Sequence, residues 1–254
     1  MLEIRELTKL YHGTVALDHV SFMARPGEVT GYLGPNGSGK STTVKILTGL
    51  IQASTGEVLY RGQDVRRDPI AFKQRIGYVP EEPFLYTYLT GAEYLELAGQ
   101  LRGLDGKRLK QKIEGFLRLF GLWADRYTPM SSYSKGMRQK VLLAAALLHD
   151  PEIVILDEPF SGLDVNSSMM LRRLIQELAG AGKIVLYSSH ALEVVERVCA
   201  RVVILHRGKV VADDSVEHLR ELMKLPSLEE IFTQLALEQD IGGVADEMMR
   251  VIQL

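Results

Sequence analysis

The segment at residues 34–41 constrains the fold of this 254-residue chain more than any other feature. It reads Gly-Pro-Asn-Gly-Ser-Gly-Lys-Ser and matches the pattern G-x-x-x-x-G-K-[ST]. The apolar run at 29–33 predicts a strand before it, and residues 41–50 predict a helix after it. Glycines let several backbone N–H groups point at phosphate oxygens, and the N-terminus of the helix adds its positive dipole. We therefore expect a phosphate-binding loop.

Each part of this loop has an expected role. Lys40 supplies a positive charge to the β- and γ-phosphates of a nucleotide and so takes part in catalysis, while the Ser41 hydroxyl is a ligand for Mg²⁺. A dinucleotide-binding pattern would begin at Gly37, but Thr42 stands at its last position, so that pattern fails. The alternative is a glycine-rich turn without a ligand. The residues expected to contact the nucleotide are Gly34, Pro35, Asn36, Gly37, Ser38, Gly39, Lys40, Ser41 and Thr42.

Strands and helices alternate along much of the chain, which predicts an α/β fold with a mainly parallel core sheet and an antiparallel β part. Strands are predicted at 2–7, 17–22, 29–33, 153–156 and 184–187, and a strand pair at 202–205 and 209–212. Helices are predicted at 41–50, 167–178 and 191–198.

A helical stretch at about 83–150 interrupts this alternation. Thr90 and Glu93 form a predicted capping box at the start of one helix, a stripe from 109 to 120 predicts a second, and 134–148 a third. We therefore expect a domain at 1–214 with an inserted helical subdomain at about 83–150. A helical C-terminal extension is expected at 215–254.

Two carboxylates follow the apolar run at 153–156. A buried parallel strand delivers the residues at its C-terminal end to the ligand crevice. Asp157 is therefore expected to hold Mg²⁺ through water, and Glu158 to accept a proton from an attacking water. Two adjacent acids could instead form a solvated turn, but the phosphate loop favours the functional interpretation.

Further segments resemble the nucleotide-binding subunits of ABC (ATP-binding cassette) transporters. Residues 133–140 stand where that family carries a Leu-Ser-Gly-Gly-Gln signature at the start of a helix. Ser134 and Gly136 match the signature, whereas Lys135 and Met137 depart from it. The resemblance implies that Ser134 and Gly136 contact the γ-phosphate of an ATP bound to a second subunit. In isolation, Ser134 would simply cap a helix.

The resemblance extends to three more places. Residues 161–164 resemble the D-loop, which couples the two sites of the dimer. His190 resembles the switch histidine that contacts the γ-phosphate and orients the attacking water, and Tyr11 resembles the aromatic platform that stacks on adenine. The alternatives are a solvated histidine and a partly buried core tyrosine.

Glu81 is a departure from the family pattern. The segment 76–80 should lead into a glutamine that reaches Mg²⁺ and the attacking water, but this chain has Glu81 followed by Glu82. A carboxylate can replace the amide as a Mg²⁺ ligand, and it adds negative charge beside the γ-phosphate. Glu81 is thus an expected ligand of Mg²⁺ and nucleotide.

The resemblance implies an ABC ATPase domain of the P-loop NTPase class, with ATP and Mg²⁺ as cofactors. Glu81, the signature departures and residues 227–232 resemble the ATPases of type-2 exporters, which work with a separate integral membrane permease. The expected partners are that permease and a second copy of the chain in an ATP-dependent head-to-tail homodimer. The alternatives are a soluble ABC ATPase acting on ribosomes or nucleic acid and a catalytically inactive scaffold.

Composition bears on location and partners. Lys plus Arg is 30 and Asp plus Glu is 32, a net charge of −2, so no nucleic acid is expected as a partner. The longest apolar run, at 141–148, is far shorter than the roughly 20 residues of a spanning helix. One cysteine, Cys199, excludes an intrachain disulfide framework. These features predict a cytoplasmic protein, and the resemblance implies a peripheral position on the inner face of the cell membrane.

Overall fold

Two β-sheets and their surrounding helices form the part of the chain that the computed structural model describes, residues 1–82, 85–189 and 192–236. The strands are β1 (Leu2–Tyr11), β2 (Thr14–Ala24), β3 (Val29–Leu33), β4 (Thr55–Tyr60), β5 (Gln63–Asp64), β6 (Ile76–Val79), β7 (Ile153–Asp157), β8 (Ile184–Ser188), β9 (Arg201–His206) and β10 (Lys209–Ser215). The helices are α1 (Lys40–Leu47), α2 (Pro69–Gln74), α3 (Gly91–Leu101), α4 (Gly106–Leu119), α5 (Lys135–Leu147), α6 (Val165–Gly180), α7 (Leu192–Val198), α8 (Val216–Met223) and α9 (Leu228–Ala236).

The larger sheet has the strand order β10-β9-β3-β8-β7-β6. Its strands pair in parallel except β10, which is antiparallel to β9. The carboxyl ends of parallel strands meet at one edge, and here that edge carries the turn after β3 and the two acids at the end of β7, Asp157 and Glu158. The predicted α/β fold with a mainly parallel core sheet is confirmed.

Both faces of this sheet are buried, and its strands alternate between two hydrophobic clusters. In β7, Val154 and Leu156 belong to the cluster shared with the helical stretch, whereas Ile153 and Ile155 belong to the cluster beneath the smaller sheet. All four side chains are almost fully buried. A strand buried on both faces has a continuous apolar sequence rather than an alternating one, which is why 153–156 is wholly apolar.

The smaller sheet is antiparallel, in the order β2-β1-β4-β5. Strand β1 continues to Tyr11, beyond the predicted end at residue 7. Its pairing with β2 shifts register between Ile4 and Leu7 and again after Leu7, and Glu6 has a positive φ of 49°. These irregularities interrupt the period-2 pattern, so the alternation of apolar and polar residues indicates only the first part of this strand.

Three helices, α3, α4 and α5, separate β6 from β7. The capping box is confirmed: Thr90 Oγ1 accepts from the Glu93 N–H at 3.2 Å, and the Glu93 carboxylate accepts from the Thr90 N–H at 2.9 Å. The buried residues of these helices belong to the cluster that also contains Val154 and Leu156. The predicted helices are thereby confirmed, while the division into domains stays a prediction.

Helices α8 and α9 follow β10, and α9 buries Leu228, Ile231 and Phe232 against the same cluster. The remainder of the predicted extension, 237–254, lies outside the described residues, as do Pro83, Phe84, His190 and Ala191. Within the described ranges, no helix has the length and apolar character needed to cross a membrane.

Candidate active site

The predicted phosphate loop connects β3 to α1, as expected. Gly37 has a φ of +79° and Gly39 a φ of +108°, conformations that side chains rarely adopt. A Cβ on Gly39 would lie 2.6 Å from the carbonyl oxygen of Ala16, and one on Gly34 would lie 2.4 Å from the carbonyl oxygen of Leu205. The glycines are therefore required by the shape of the loop and by its close contact with neighbouring backbone.

Backbone contacts from distant segments hold this loop in place. The Gly208 N–H donates to the Ser38 carbonyl at 2.9 Å, and the Asp18 N–H donates to the Gly208 carbonyl at 2.8 Å. Thr43, fully buried in α1, donates from Oγ1 to the Gly39 carbonyl at 3.3 Å. Sequence reasoning missed Thr43, Asp18 and Gly208, because Asp18 and Gly208 act through backbone groups and Thr43 through a buried hydroxyl, and neither kind of contact leaves a motif.

Lys40 is the first residue of α1, and its side chain extends back over the phosphate loop. Its Nζ donates to the carbonyl oxygens of Gly34 at 2.5 Å and Pro35 at 3.2 Å. Burial lowers the pKa of Lys40, and the negative charges of Glu158, Asp157 and Glu81 act in the opposite direction. The fold thus places the predicted cation near enough to the three predicted acids for their charges to act on it.

Asp157 is the last residue of β7 and is only 7% exposed. Burial raises the pKa of its carboxyl group, and the nearby charges of Glu81 and Glu158 act in the same direction. Burial also raises the pKa of Tyr78 to about 12, again with contributions from Asp157 and Glu81. This charge concentration at the strand ends favours a bound cation.

Glu158 adopts a positive φ of 46°, which is uncommon for a residue with a side chain. Its N–H donates to the Ser188 carbonyl at 2.9 Å, and its carboxylate accepts from Ser189 Oγ at 2.9 Å. Strained backbone of this kind persists where the surroundings determine it, often at catalytic sites. Ser189 is only 2% exposed, and the sequence analysis did not identify it as a site residue.

Ser134 and Gly136 lie at the N-terminus of α5. Ser134 Oγ caps the helix by accepting from the Met137 N–H at 3.1 Å, so the cap proposed from sequence is present. A Cβ on Gly136 would lie 2.5 Å from the Gly162 carbonyl oxygen, so glycine is needed for this close approach. The signature helix and the segment 161–164 are therefore packed together within one chain.

The other predicted residues are placed as follows. Tyr11 is 40% exposed, with Lys9 Nζ 5.0 Å from its ring centroid, so it is not the core tyrosine of the alternative. Ser41 is exposed, and Thr42 is half-buried, next to it in α1. His190 lies outside the described residues, and its role stays a prediction.

The donors predicted for Mg²⁺ are a hydroxyl and two carboxylates, from Ser41, Asp157 and Glu81, and such hard oxygen ligands suit this ion. No group of three or more acidic, histidine or cysteine side chains in the described ranges forms a metal cage. Mg²⁺ in nucleotide sites is normally held by one or two carboxylates together with phosphates, so these residues fit it.

Comparison with known proteins decides the family. The ABC transporter family model matches residues 17–161, more than half of the chain. The chain belongs to the ABC transporter family. The matched region contains the phosphate loop, the helical stretch, the signature helix and the two acids at the end of β7. An uncharacterized ABC transporter ATP-binding protein of Nostoc sp. is 44% identical to this chain. The match covers 81% of this chain and 61% of the length of that protein.

Other ABC proteins match over most of their own length. The ABC transporter ATP-binding protein NatA of Bacillus subtilis is 39% identical over 85% of this chain and 89% of its own. A solved ATP-binding subunit of an ABC transporter has a TM-score of 0.87 at 34% identity, covering 92% of this chain and 99% of that one.

A dimeric ATP-binding cassette solved in a post-hydrolysis state with ADP and Pi has a TM-score of 0.78 at 26% identity, covering 85% of this chain and 99% of that one. The chain is accordingly an ABC ATPase, the ATP-binding subunit of a transporter. The comparisons do not favour the ribosome or nucleic-acid alternative.

Proposed function

We propose that this ABC ATPase hydrolyses ATP to drive export through a separate integral membrane permease. The observation that carries the proposal is the convergence of Lys40, Glu81, Asp157 and Glu158 at the carboxyl edge of the parallel sheet. Phosphoryl transfer requires mainly positioning and stabilisation of charge, and this edge offers both.

Each residue of the proposed site has its own role in ATP binding or hydrolysis. Backbone N–H groups within 34–42, to which Pro35 contributes none, cradle the phosphates, and Lys40 neutralises the β- and γ-phosphates. Ser41, Asp157 and Glu81 would hold Mg²⁺, which adds charge neutralisation when bound. Glu158, held by Ser189, accepts the proton of the attacking water.

Three further residues complete the proposed site. His190 positions the attacking water, and Tyr11, exposed on the β1–β2 hairpin, stacks on adenine. Ser134 and Gly136 serve the ATP of a second copy of the chain, since their N–H and hydroxyl groups lie at a helix N-terminus suited to phosphate. The dimeric cassette with ADP and Pi supports such a pair.

Export is the proposed direction because Glu81, the Ser134-Lys135-Gly136-Met137 signature and residues 227–232 resemble type-2 exporter ATPases. In this arrangement residues 1–214 form the ATPase domain, with its helical subdomain at about 83–150, and residues 215–254 form the extension. The ATPase works on the cytoplasmic face of the membrane, bound to its permease.

Isolation from membranes tests the partner. A tagged chain purified from detergent-solubilised membranes of its own organism is expected to retain one integral membrane protein in fixed proportion. Mass spectrometry of the eluate identifies it. Recovery with ribosomal proteins or DNA in place of a membrane protein would overturn the proposal.

A second expected result concerns Glu81. Replacing Glu81 with glutamine removes one negative charge near Asp157 and the γ-phosphate while keeping an oxygen ligand. Because Glu81 is exposed, we expect changes of at most about fivefold: a lower KM for ATP and a higher Mg²⁺ concentration at half-maximal rate. Steady-state kinetics across a Mg²⁺ titration measure both.

The matched control for this variant is Glu82→Gln, which changes the same charge at the exposed neighbouring position. It is expected to leave both constants unchanged. If Glu81→Gln also leaves them unchanged, Glu81 does not contact the metal–nucleotide complex.

A further inference from the structure

One face of α5 contacts the loop at 158–164, which follows β7. Positions 135, 136, 139 and 140 lie on the same side of the helix because they are one residue or about one turn apart. Lys135 Nζ donates to Ser161 Oγ at 2.7 Å, and Gln139 Nε2 donates to the Pro159 carbonyl at 3.3 Å. Gly136 approaches Gly162 closely, and Lys140 pairs with Asp164 at 3.6 Å.

This loop has Glu158 at its beginning and ends at Asp164, the N-cap of α6. The Ser161 N–H donates to the Glu158 carbonyl at 3.1 Å, so the contact made by Lys135 is one short turn from the proposed base. Asp164 accepts from the Ser167 N–H at 2.9 Å. The loop is therefore anchored at both ends, and Lys135 acts at its centre.

Helix stability does not explain a lysine at position 135. A positive charge in the first turn opposes the helix dipole, and the first turn of α5 contains no acidic residue that would compensate. Lys135 is exposed, yet its Cγ and Cδ lie 3.0 and 3.1 Å from the position of a Cβ on Gly162. The side chain is laid along the loop rather than extended into solvent.

We propose that Lys135 is a positioning residue that holds loop 158–164 through Ser161, and thereby places Glu158 for hydrolysis. The inference rests on the proposed roles of Ser134, Gly136 and Glu158. The N-terminus of α5 is expected to contact the phosphate of one ATP, and Glu158 acts on the other ATP. The contact between Lys135 and Ser161 then links these two groups within the same chain. A displacement of α5 on closure of the dimer is passed to Glu158 through this contact.

Kinetics test the link through a double-mutant cycle on the full chain. Lys135→Ala and Ser161→Ala are each expected to lower kcat about three- to tenfold, the effect of one lost hydrogen bond, with KM for ATP unchanged. The double variant is expected to lose no more than either single variant. Lys135→Arg, which retains a donor, is expected to remain within about twofold of the wild type.

The matched control is Lys107→Ala, at an exposed position of α4, which is expected to leave kcat unchanged. If the reductions in kcat of the two single variants multiply in the double variant, Lys135 and Ser161 act separately, and the inference is overturned. A rise in KM with Lys135→Ala would instead place the lysine on the nucleotide and would equally overturn it.

Hydrogen exchange provides a readout that does not depend on turnover. In the nucleotide-free protein, Lys135→Ala is expected to speed exchange of the Ser161 and Leu163 amides, which donate within the loop, while Lys135→Arg does not. Unchanged exchange would refute the link even if the ATPase is active. Faster exchange without a change in kcat would retain the contact but refute its role in positioning Glu158.

Discussion

Replacing Glu158 with glutamine is expected to lower kcat for ATP hydrolysis at least about 100-fold, because a positioned general base typically contributes that much or more. The amide cannot accept the proton of the attacking water. ATP binding is expected to persist, since the phosphate loop and Lys40 are untouched. The variant should therefore accumulate with ATP as a dimer, which gel filtration with and without ATP measures.

The geometry makes this substitution a clean test. Glutamine has the same shape as glutamate, experiences the same positive φ, and its carbonyl oxygen can still accept from Ser189 Oγ. Glu114→Gln, which changes an exposed carboxylate of α4, is the control and is expected to hydrolyse ATP normally. Wild-type turnover by Glu158→Gln would remove Glu158 from the mechanism.

Replacing Lys40 with alanine is expected to reduce kcat/KM about 100- to 1,000-fold, the range found when one stabilising donor is removed from a preorganised site. Unlike the Glu158 variant, this one is expected to bind ATP weakly, because the charge on the β- and γ-phosphates is lost. It also removes the contacts of Nζ with the Gly34 and Pro35 carbonyls. Fluorescent ATP-analogue titration separates binding from turnover.

Lys45→Ala is the matched control, since Lys45 lies further along α1 and is exposed. It removes the same charge and the same side-chain atoms from the same helix. Equal loss from both variants would mean that the total charge of α1, rather than the placement of Lys40, determines binding.

Sequence reasoning succeeded where function imposes short motifs on local structure. Gly37, Gly39 and Lys40 follow from a loop that must expose its N–H groups, and the strand at 153–156 followed by two acids is similarly self-contained. The Thr90–Glu93 capping box was predictable for the same reason, because both of its hydrogen bonds lie within four consecutive residues. Here, local physics and tertiary structure agree.

Contacts between distant segments could not be predicted in this way. Strands β4, β5 and β6 and helix α2 were missed because they owe their stability to neighbours rather than to a strong pattern of their own. The hydrogen bonds of Ser189 to Glu158 and Lys135 to Ser161 join residues 31 and 26 positions apart. No spacing rule predicts such pairs, although the departure of Lys135 from the family signature was a visible signal.

The alternation of β7 between two hydrophobic clusters has a consequence for the chemistry at its end. A slip of one residue would turn Ile153 and Ile155 toward the cluster that now receives Val154 and Leu156, and both interiors would have to be repacked. A slip in one direction would put Glu158, the proposed base, in the place of Asp157, the proposed metal ligand, and a slip in the other direction would put Asp157 in the place of Glu158. Apolar side chains that do not contact the nucleotide thereby determine which of the two neighbouring acids is placed as the metal ligand and which as the base.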